Sequence, residues 1–281
     1  MASINPERAG VHHDLRFFCR DRKSESVEPG LKWEAELWYL SRATYARVVR
    51  HVRTMRAVCL THVPFEGPGA FATALTARGV SLERYLVPQG GLPKDTGDVL
   101  IVMGGPMSVN DPDSWIAEET AFIRSAILAG KPVIGVCLGS QFMAKALGAT
   151  VRSGKALEIG MTPITLTSEA KHDPVFSTLP ESFDVFQWHG EVFDLPKDCV
   201  PLAGSDIAPL QAFRYSTRAY GLLFHLEMEA NGIESLSREC ASDLTKAGLT
   251  AQRIQSTALP HLPNLHKTAD RLVAHLLNSA H

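Results

Sequence analysis

The sequence predicts an α/β protein with a doubly wound, mainly parallel sheet, an added section of antiparallel strands and a helical C-terminal tail. From Arg56 onward, short β-rich runs alternate with helical stretches, which is typical of parallel sheets. The runs Val99 to Met103 and Pro132 to Val136 are almost continuously apolar, as strands buried on both faces must be. Residues 158 to 226 contain mostly further strand-like runs, and helical patterns dominate from about residue 230.

The first half of the predicted sheet consists of strands separated by helices. In chain order these elements are a strand at Ala57 to Thr61, a helix up to Arg78, a strand near Leu82 to Val87, a strand at Val99 to Met103, a helix from Asp113 or Ser114 to about Ala129, a strand at Pro132 to Val136 and a helix from Leu138 to Leu147. Gly130 is expected to close the long helix. Glu118 and Glu119, in its first turns, are expected to interact favourably with the helix dipole.

The second half of the chain is predicted from its turns. Turns are expected at Asp173-Pro174, Leu195-Pro196 and Ala203-Gly204, with strands between them. The tail is expected to be helical over roughly Ala230 to Leu244 and Asn264 to Leu277.

Composition excludes several classes of protein. The 281 residues are 45% hydrophobic with a net charge of −2, which favours a globular protein and argues against nucleic acid as the main partner. No apolar run approaches the roughly 20 residues of a membrane span. Met1 to Gly10 show no secretory signal. The five cysteines are widely spaced without a CxxC pair, so we expect free thiols, no metal site and a cytoplasmic location.

Residues 1–54 differ from the rest of the chain. They contain 10 Lys and Arg against 7 Asp and Glu, a net charge of +3, whereas the remainder is acidic. Leu31 to Val52 show a loosely helical apolar pattern. Two interpretations stay open: an appended helical element, or an extension upstream of a natural start at Met55. One domain is predicted over residues 55–281.

The sharpest motif is Gly135-Val136-Cys137-Leu138-Gly139, between a buried strand and a helix. A G-x-C-x-G turn forces its central residue into a strained conformation, and glycines are needed because a Cβ would collide with the neighbouring elements. The turn exposes the sulfur beside a helix N-terminus, where the dipole favours a thiolate. Cys137 is therefore a candidate nucleophile, although a free Cys in an apolar run can also be an inert core residue.

A thiolate nucleophile needs a base, and His225 ends the strand-like run Tyr220 to Phe224. Glu227 follows two residues later, and residues i and i+2 of an extended chain point to the same side. Its carboxylate can therefore fix the imidazole tautomer while the other ring nitrogen faces the thiol. The alternative is a strand histidine near a solvated glutamate. A zinc site is disfavoured because no third ligand has a typical spacing.

Backbone donors for an oxyanion are predicted at two places. Gly104-Gly105-Pro106 ends the strand before the elbow, and glycines allow close approach to the N–H of Gly105. The N–H of Leu138 is the second candidate donor. Gln141 lies one helical turn after Cys137 and can reach the same cleft. The segment Phe186 to Glu191 can line it as well.

Four segments in this order, GGPMSV, GVCLGSQ, WHGEVFDLP and YGLLFHLE, resemble the class I glutamine amidotransferases, especially stand-alone proteins similar to the amidotransferase domain of GMP synthetase. The resemblance covers about residues 56–235. It implies a flavodoxin-like sheet and a catalytic triad made of Cys137, His225 and Glu227. It further implies oxyanion donors and substrate contacts, which are Gly105 and Leu138 for the oxyanion, and Gly104, Gln141, His189 and Gly190 for the substrate. Leu226 and Glu191 depart from the usual Pro and Asp.

The expected activity is hydrolysis of the γ-amide of glutamine, or of a γ-glutamyl compound, through a thioester, with no cofactor and no metal. Only 54 residues follow Glu227 and no P-loop or SGGxDS-like motif is present, so a separately encoded synthetase subunit is a candidate partner for the ammonia. The alternatives are a γ-glutamyl peptidase without ammonia transfer and a non-catalytic binding module on this fold. A thiol esterase of the α/β-hydrolase type is disfavoured because its acid precedes the histidine.

Overall fold

A computed structural model describes residues 54–278. The predicted extension at residues 1–54 lies outside the described residues except for Thr54. The strands of the described range are β1 (Arg56–Thr61), β2 (Ser81–Leu86), β3 (Val99–Val102), β4 (Val133–Val136), β5 (Val151–Leu166), β6 (Ser182–Phe193), β7 (Cys199–Gly204), β8 (Ala212–Tyr215) and β9 (Ala219–Leu222). They form one sheet in the order β2-β1-β3-β4-β9-β8-β7-β5-β6.

The helices of the described range cover both faces of this sheet. They are α1 (Gly69–Thr76), α2 (Val87–Gly90), α3 (Ser114–Leu128), α4 (Leu138–Ala146), α5 (Ala230–Glu239), α6 (Ala241–Ala247), α7 (Ala251–Ala258) and α8 (Leu262–Asn278). None of these helices is long and apolar enough to cross a bilayer. The prediction of an α/β fold with a helical C-terminal tail is confirmed.

Strand pairing in the sheet changes from parallel to antiparallel at β9. Strands β2, β1, β3, β4 and β9 are parallel, whereas β9, β8, β7, β5 and β6 pair antiparallel. Residues of β1 alternate between two cores: Ala57 and Cys59 pack on one face, and Val58 and Leu60 on the other. This burial on both faces explains the continuous apolar runs that predicted a doubly wound sheet.

The carboxyl ends of four parallel strands meet at one edge of the sheet. The loops that follow β1, β3, β4 and β9 all emerge there, and the last three carry Gly104-Gly105, Cys137 and His225. In open α/β sheets this edge is where ligands bind. The topology therefore brings together segments that are far apart in the sequence.

Two boundaries differ from the sequence prediction. Ala203 and Gly204 were expected in a turn, but both lie in β7, where Ala203 pairs with Leu166 and Ala212. Gly204 is required there because a Cβ would collide with the carbonyl oxygen of Pro209. The antiparallel section also starts earlier than residue 158, since β5 begins at Val151 and pairs with β6 across a bulge.

Candidate active site

Cys137 occupies the turn between β4 and α4 in a strained backbone conformation. Its φ of 51° and ψ of −111° lie where L-residues are rare. The backbone on both sides fixes it, since its N–H donates to the carbonyl of Leu222 at 2.8 Å and its carbonyl accepts from Ser140 and Gln141. The strain predicted for the elbow is therefore present, and hydrogen bonds to β9 and to α4 hold it.

The glycines of the elbow are required by close packing. A Cβ on Gly135 would lie 2.5 Å from the Met143 sulfur and 2.6 Å from the carbonyl oxygen of Gly139. A Cβ on Gly139 would collide with the carbonyl oxygen of Val102, an atom of β3. Helix α4 can approach the sheet this closely only where these residues have no side chain.

Gly139→Ala is expected to lower the free energy of unfolding by about 1–3 kcal/mol, because α4 must move away from β3 to admit the methyl group. Gly90→Ala is the control, since a Cβ at Gly90 meets no atom within 4 Å. Urea unfolding of both variants measures the difference. Equal midpoints for the two variants would contradict the close approach of α4.

His225 and Glu227 are in direct contact with each other. The Nδ1 of His225 lies 2.7 Å from Glu227 Oε1, and the N–H of Leu226 donates to Glu227 Oε2 at 3.0 Å. The second ring nitrogen, Nε2, makes no hydrogen bond to the described residues. Burial opposes a positive charge on His225, but the Glu227 carboxylate and the nearby Cys137 sulfur outweigh it and raise the pKa of the imidazole well above its ordinary value.

The two predicted oxyanion donors are neighbours. A Cβ on Gly105 would lie 3.0 Å from Leu138 Cδ2, so the loop after β3 packs against the first residue of α4. As the first residue of a helix, Leu138 has no intrahelical acceptor for its N–H. A Cβ on Gly104 would lie 3.5 Å from Cys137 Cβ, which places this loop directly beside the sulfur-bearing residue.

One pocket of about 330 Å³ collects most of the predicted residues. Its lining includes six of them, which are Cys137, Gly105, Gln141, His189, Gly190 and His225. The remaining three predicted residues, Gly104, Leu138 and Glu227, are adjacent in sequence to or in contact with these. The structure thus brings the nine residues together, and their catalytic and binding roles stay predictions.

The pocket is acidic. Its lining contains four carboxyl side chains, which are Glu66, Asp111, Glu191 and Asp243, and none of its described lining residues is Lys or Arg. Ser108 fixes two of these carboxylates, because its hydroxyl donates to Glu191 at 2.9 Å and its N–H donates to Asp111 at 2.9 Å. An ammonium group therefore finds partners here, and a ligand carboxylate must rely on backbone N–H groups and neutral side chains.

Two further polar atoms in the pocket wall have no partner among the described residues. The Oε1 of Gln141 and the Nδ1 of His189 are buried without a hydrogen bond. The His189 ring lies against the buried carboxylate of Glu158, with 3.3 Å between Nε2 and Oε2. Unpartnered buried groups at a pocket are available to a ligand.

Sequence reasoning missed Glu66 at this site. Its side chain lies at the pocket wall after β1, and a Cβ on Gly104 would collide with its Oε2. Burial raises the pKa of the Glu66 carboxyl, Glu227 raises it further, and His225 and His62 oppose this. The only sign of Glu66 in the sequence is its position directly before the Gly67-Pro68-Gly69 turn, in the loop that follows the first strand.

The expectation that Glu118 and Glu119 interact with the dipole at the start of α3 is wrong, because the N-terminal turn of α3 contains no acidic residue. The Glu119 side chain is instead fully buried and contacts His62. The described residues also contain no group of three or more His, Cys, Asp and Glu side chains that could hold a metal.

Comparison with known proteins gives a consistent result. The family model for glutamine amidotransferase class-I matches residues 71–236. The glutamine amidotransferase-like protein YfeJ of Salmonella typhimurium is 33% identical over 201 residues, covering 69% of this chain and 84% of that protein. A glutamine-hydrolysing GMP synthase of Vibrio atlanticus is 33% identical over 179 residues, covering 60% of this chain and 33% of the synthase. A glutamine amidotransferase of Thermotoga maritima superimposes with a TM-score of 0.73 at 27% identity, covering 80% of this chain and 99% of that one.

Proposed function

Because the chain belongs to the class I glutamine amidotransferase family, we propose that it hydrolyses the γ-amide of glutamine, or of a γ-glutamyl compound, through a thioester on Cys137. One observation carries the proposal. A strained, pocket-facing Cys137 and a buried His225 in contact with Glu227 line a single small pocket. A nucleophile, a base and a group that orients the base are the components that covalent acyl transfer needs.

Each residue has a definite step in this mechanism. Nε2 of His225 takes the proton of the Cys137 thiol, and the thiolate attacks the γ-carbonyl carbon to form a C–S bond. The N–H groups of Gly105 and Leu138 stabilise the negative oxygen. His225 then returns the proton to the leaving nitrogen as the C–N bond breaks, while Glu227 holds Nδ1–H and stabilises the imidazolium.

Water completes the cycle. His225 removes a proton from a water molecule that attacks the thioester carbon, the C–S bond breaks to release glutamate, and His225 returns the proton to the Cys137 sulfur. The net products are glutamate and ammonia from glutamine, or glutamate and an amine or peptide from a γ-glutamyl compound. The step needs no oxidant and no cofactor.

The pocket supports a small amino-acid substrate. Its volume of about 330 Å³ lies at the low end for small-molecule sites. Its carboxylates suit the α-ammonium group, and we assign the α-carboxylate to the backbone around His189 and Gly190 with Gln141 as a further contact. A γ-glutamyl compound is the alternative substrate, because the pocket is only partly enclosed and its lining includes the exposed Asp111.

The partner and the location belong to the same proposal. GMP synthases carry additional sequence beyond the region that this chain matches, so a separately encoded synthetase is the candidate acceptor of ammonia. Cysteines 59, 137, 199 and 240 are free thiols, which fits a reducing, cytoplasmic setting.

The proposal is tested by incubating the protein with glutamine and with a panel of γ-glutamyl peptides, and by measuring glutamate and ammonia separately. Glutamate and ammonia in equal amounts from glutamine are the expected result. Glutamate without ammonia from the peptides, at a higher rate, would assign the peptidase branch. Absence of turnover on every substrate, together with no labelling of Cys137 by a glutamine-like chloroketone, would refute both branches.

A further inference from the structure

His62 lies in the loop after β1, and its fully buried imidazole connects two distant segments. Its Nδ1 lies 2.9 Å from the carbonyl oxygen of Gly104, and its Nε2 lies 3.0 Å from Glu119 Oε1 on α3. The rings of Trp115 and Phe142 stack against it at centroid distances of 5.8 and 5.4 Å. Both ring nitrogens therefore have polar partners, and two aromatic rings pack against the imidazole.

The proton positions follow from the partners. A carbonyl oxygen only accepts hydrogen bonds, so Nδ1 of His62 must carry a hydrogen that it donates to Gly104. The contact with Glu119 then holds one more proton, on Nε2 or on the carboxyl, and the pair is neutral in either case. Burial opposes a charge on His62, but Glu119 outweighs it and raises the pKa of the imidazole. Donation to Gly104 is present in both protonation states.

The hydrogen bond from His62 to the Gly104 carbonyl also determines the orientation of the Gly105 N–H. The carbonyl of Gly104 and the N–H of Gly105 belong to one planar trans peptide group, so they point in opposite directions. Two glycines flank that peptide and give it little resistance to rotation. A hydrogen bond that fixes the Gly104 oxygen on the His62 side therefore fixes the direction of the Gly105 N–H.

We propose that His62, supported by Glu119, is a positioning residue that aims the N–H of Gly105 at the oxygen that becomes negative in the transition state. The inference rests on the proposed function, in which Gly105 is an oxyanion donor. His62 is not among the residues that line the pocket, so the inference assigns it no contact with the substrate. It acts only through the Gly104–Gly105 peptide.

Two substitutions of His62 separate the two ring nitrogens. His62→Asn keeps an amide N–H donor near the position of Nδ1, on the Gly104 side. His62→Gln keeps a polar group near the position of Nε2, facing Glu119, and removes the donor to Gly104. Both replace the ring by an amide of similar polarity, so a general packing defect affects both variants.

The measurements are kcat and KM for glutamine and the rate of Cys137 alkylation by iodoacetamide, which forms no oxyanion. We expect His62→Gln to lower kcat by about 10²–10³-fold with little change in KM, as loss of one oxyanion donor does. We expect His62→Asn to stay within about tenfold of the wild type by retaining that donor. We expect alkylation to stay near the wild-type rate in both variants. Because an unfolded chain is alkylated as well, kcat is expressed per folded molecule, counted from the amplitude of the thermal unfolding transition.

A double variant provides an independent test in case His62→Gln fails to fold. His62→Phe with Glu119→Leu replaces the buried pair by apolar side chains and leaves no unpaired charge. The same loss of kcat is expected, because the donor to Gly104 is absent. Full activity in this variant or in His62→Gln overturns the inference, as does an equal loss in His62→Asn. A wild-type protein without any turnover instead refutes the proposed function, and the inference with it.

Discussion

Cys137→Ser is expected to lower turnover by roughly four orders of magnitude or more while leaving the free energy of unfolding almost unchanged. The substitution keeps nearly the same volume at a position that is 7% exposed. A serine hydroxyl is far harder to ionise than a thiol, so His225 cannot generate a useful nucleophile from it. Glutamate release and thermal unfolding, measured on the same preparation, test both halves of the expectation.

Cys59→Ser is the matched control, with the opposite outcome. Cys59 is fully buried in β1, and burial raises the pKa of its thiol to about 12, so it is inert. A hydroxyl in this apolar position lacks a good partner, and we expect a loss of about 1 kcal/mol or more in stability. Activity per folded molecule should be retained. If Cys137→Ser stays active, the elbow is not the active site and the assignment of His225 and Glu227 fails with it.

Glu227→Gln is expected to lower turnover by roughly three to four orders of magnitude with little change in the fold. The carboxylate accepts a hydrogen bond from His225 Nδ1 at 2.7 Å. A glutamine amide can instead donate to Nδ1, which leaves the hydrogen on Nε2 and prevents that nitrogen from taking the thiol proton. Turnover of glutamine at saturating concentration measures the loss.

The same variant has a predicted pH signature. The Glu227 carboxylate raises the pKa of His225, so its replacement by a neutral amide lowers that pKa. An active thiolate–imidazolium pair is lost when the imidazolium deprotonates, so the alkaline limb of residual kcat/KM should move to lower pH. Glu229→Gln is the control, because Glu229 is exposed two residues further on. Wild-type turnover in Glu227→Gln would contradict the orienting role.

The elbow and the His225–Glu227 contact are the features that sequence predicts best. Both depend on short spacings: one glycine two positions before Cys137 and one two positions after it, and a single residue, Leu226, between His225 and Glu227. Local geometry decides these positions, so no knowledge of the distant chain is needed. The four ordered motifs predict the family, and the match over residues 71–236 confirms it.

The supporting residues could not be predicted because their partners are distant in sequence. Glu119 has the spacing of an ordinary residue in a helix, and only the packing of α3 over the loop after β1 shows that His62 is its partner. Glu66 could not be predicted for the same reason, since its neighbours in the pocket come from the loops after β3, β4 and β9. Hydrophobic periodicity predicts which face of a helix or strand is buried, but it does not predict which polar group of another element lies against that face.

The pairing of β4 with β9 has a consequence for how the chain becomes active during synthesis. Val136 lies opposite Leu222 in the sheet, and the Cys137 N–H is bonded to the Leu222 carbonyl. A nascent chain emerges from the ribosome N-terminus first, so β4 has no β9 to pair with until β9 has also been synthesised. Until then Cys137 lacks its backbone anchor, and His225, the residue proposed as its base, is absent. We therefore expect a chain that ends before β9 to lack the proposed activity.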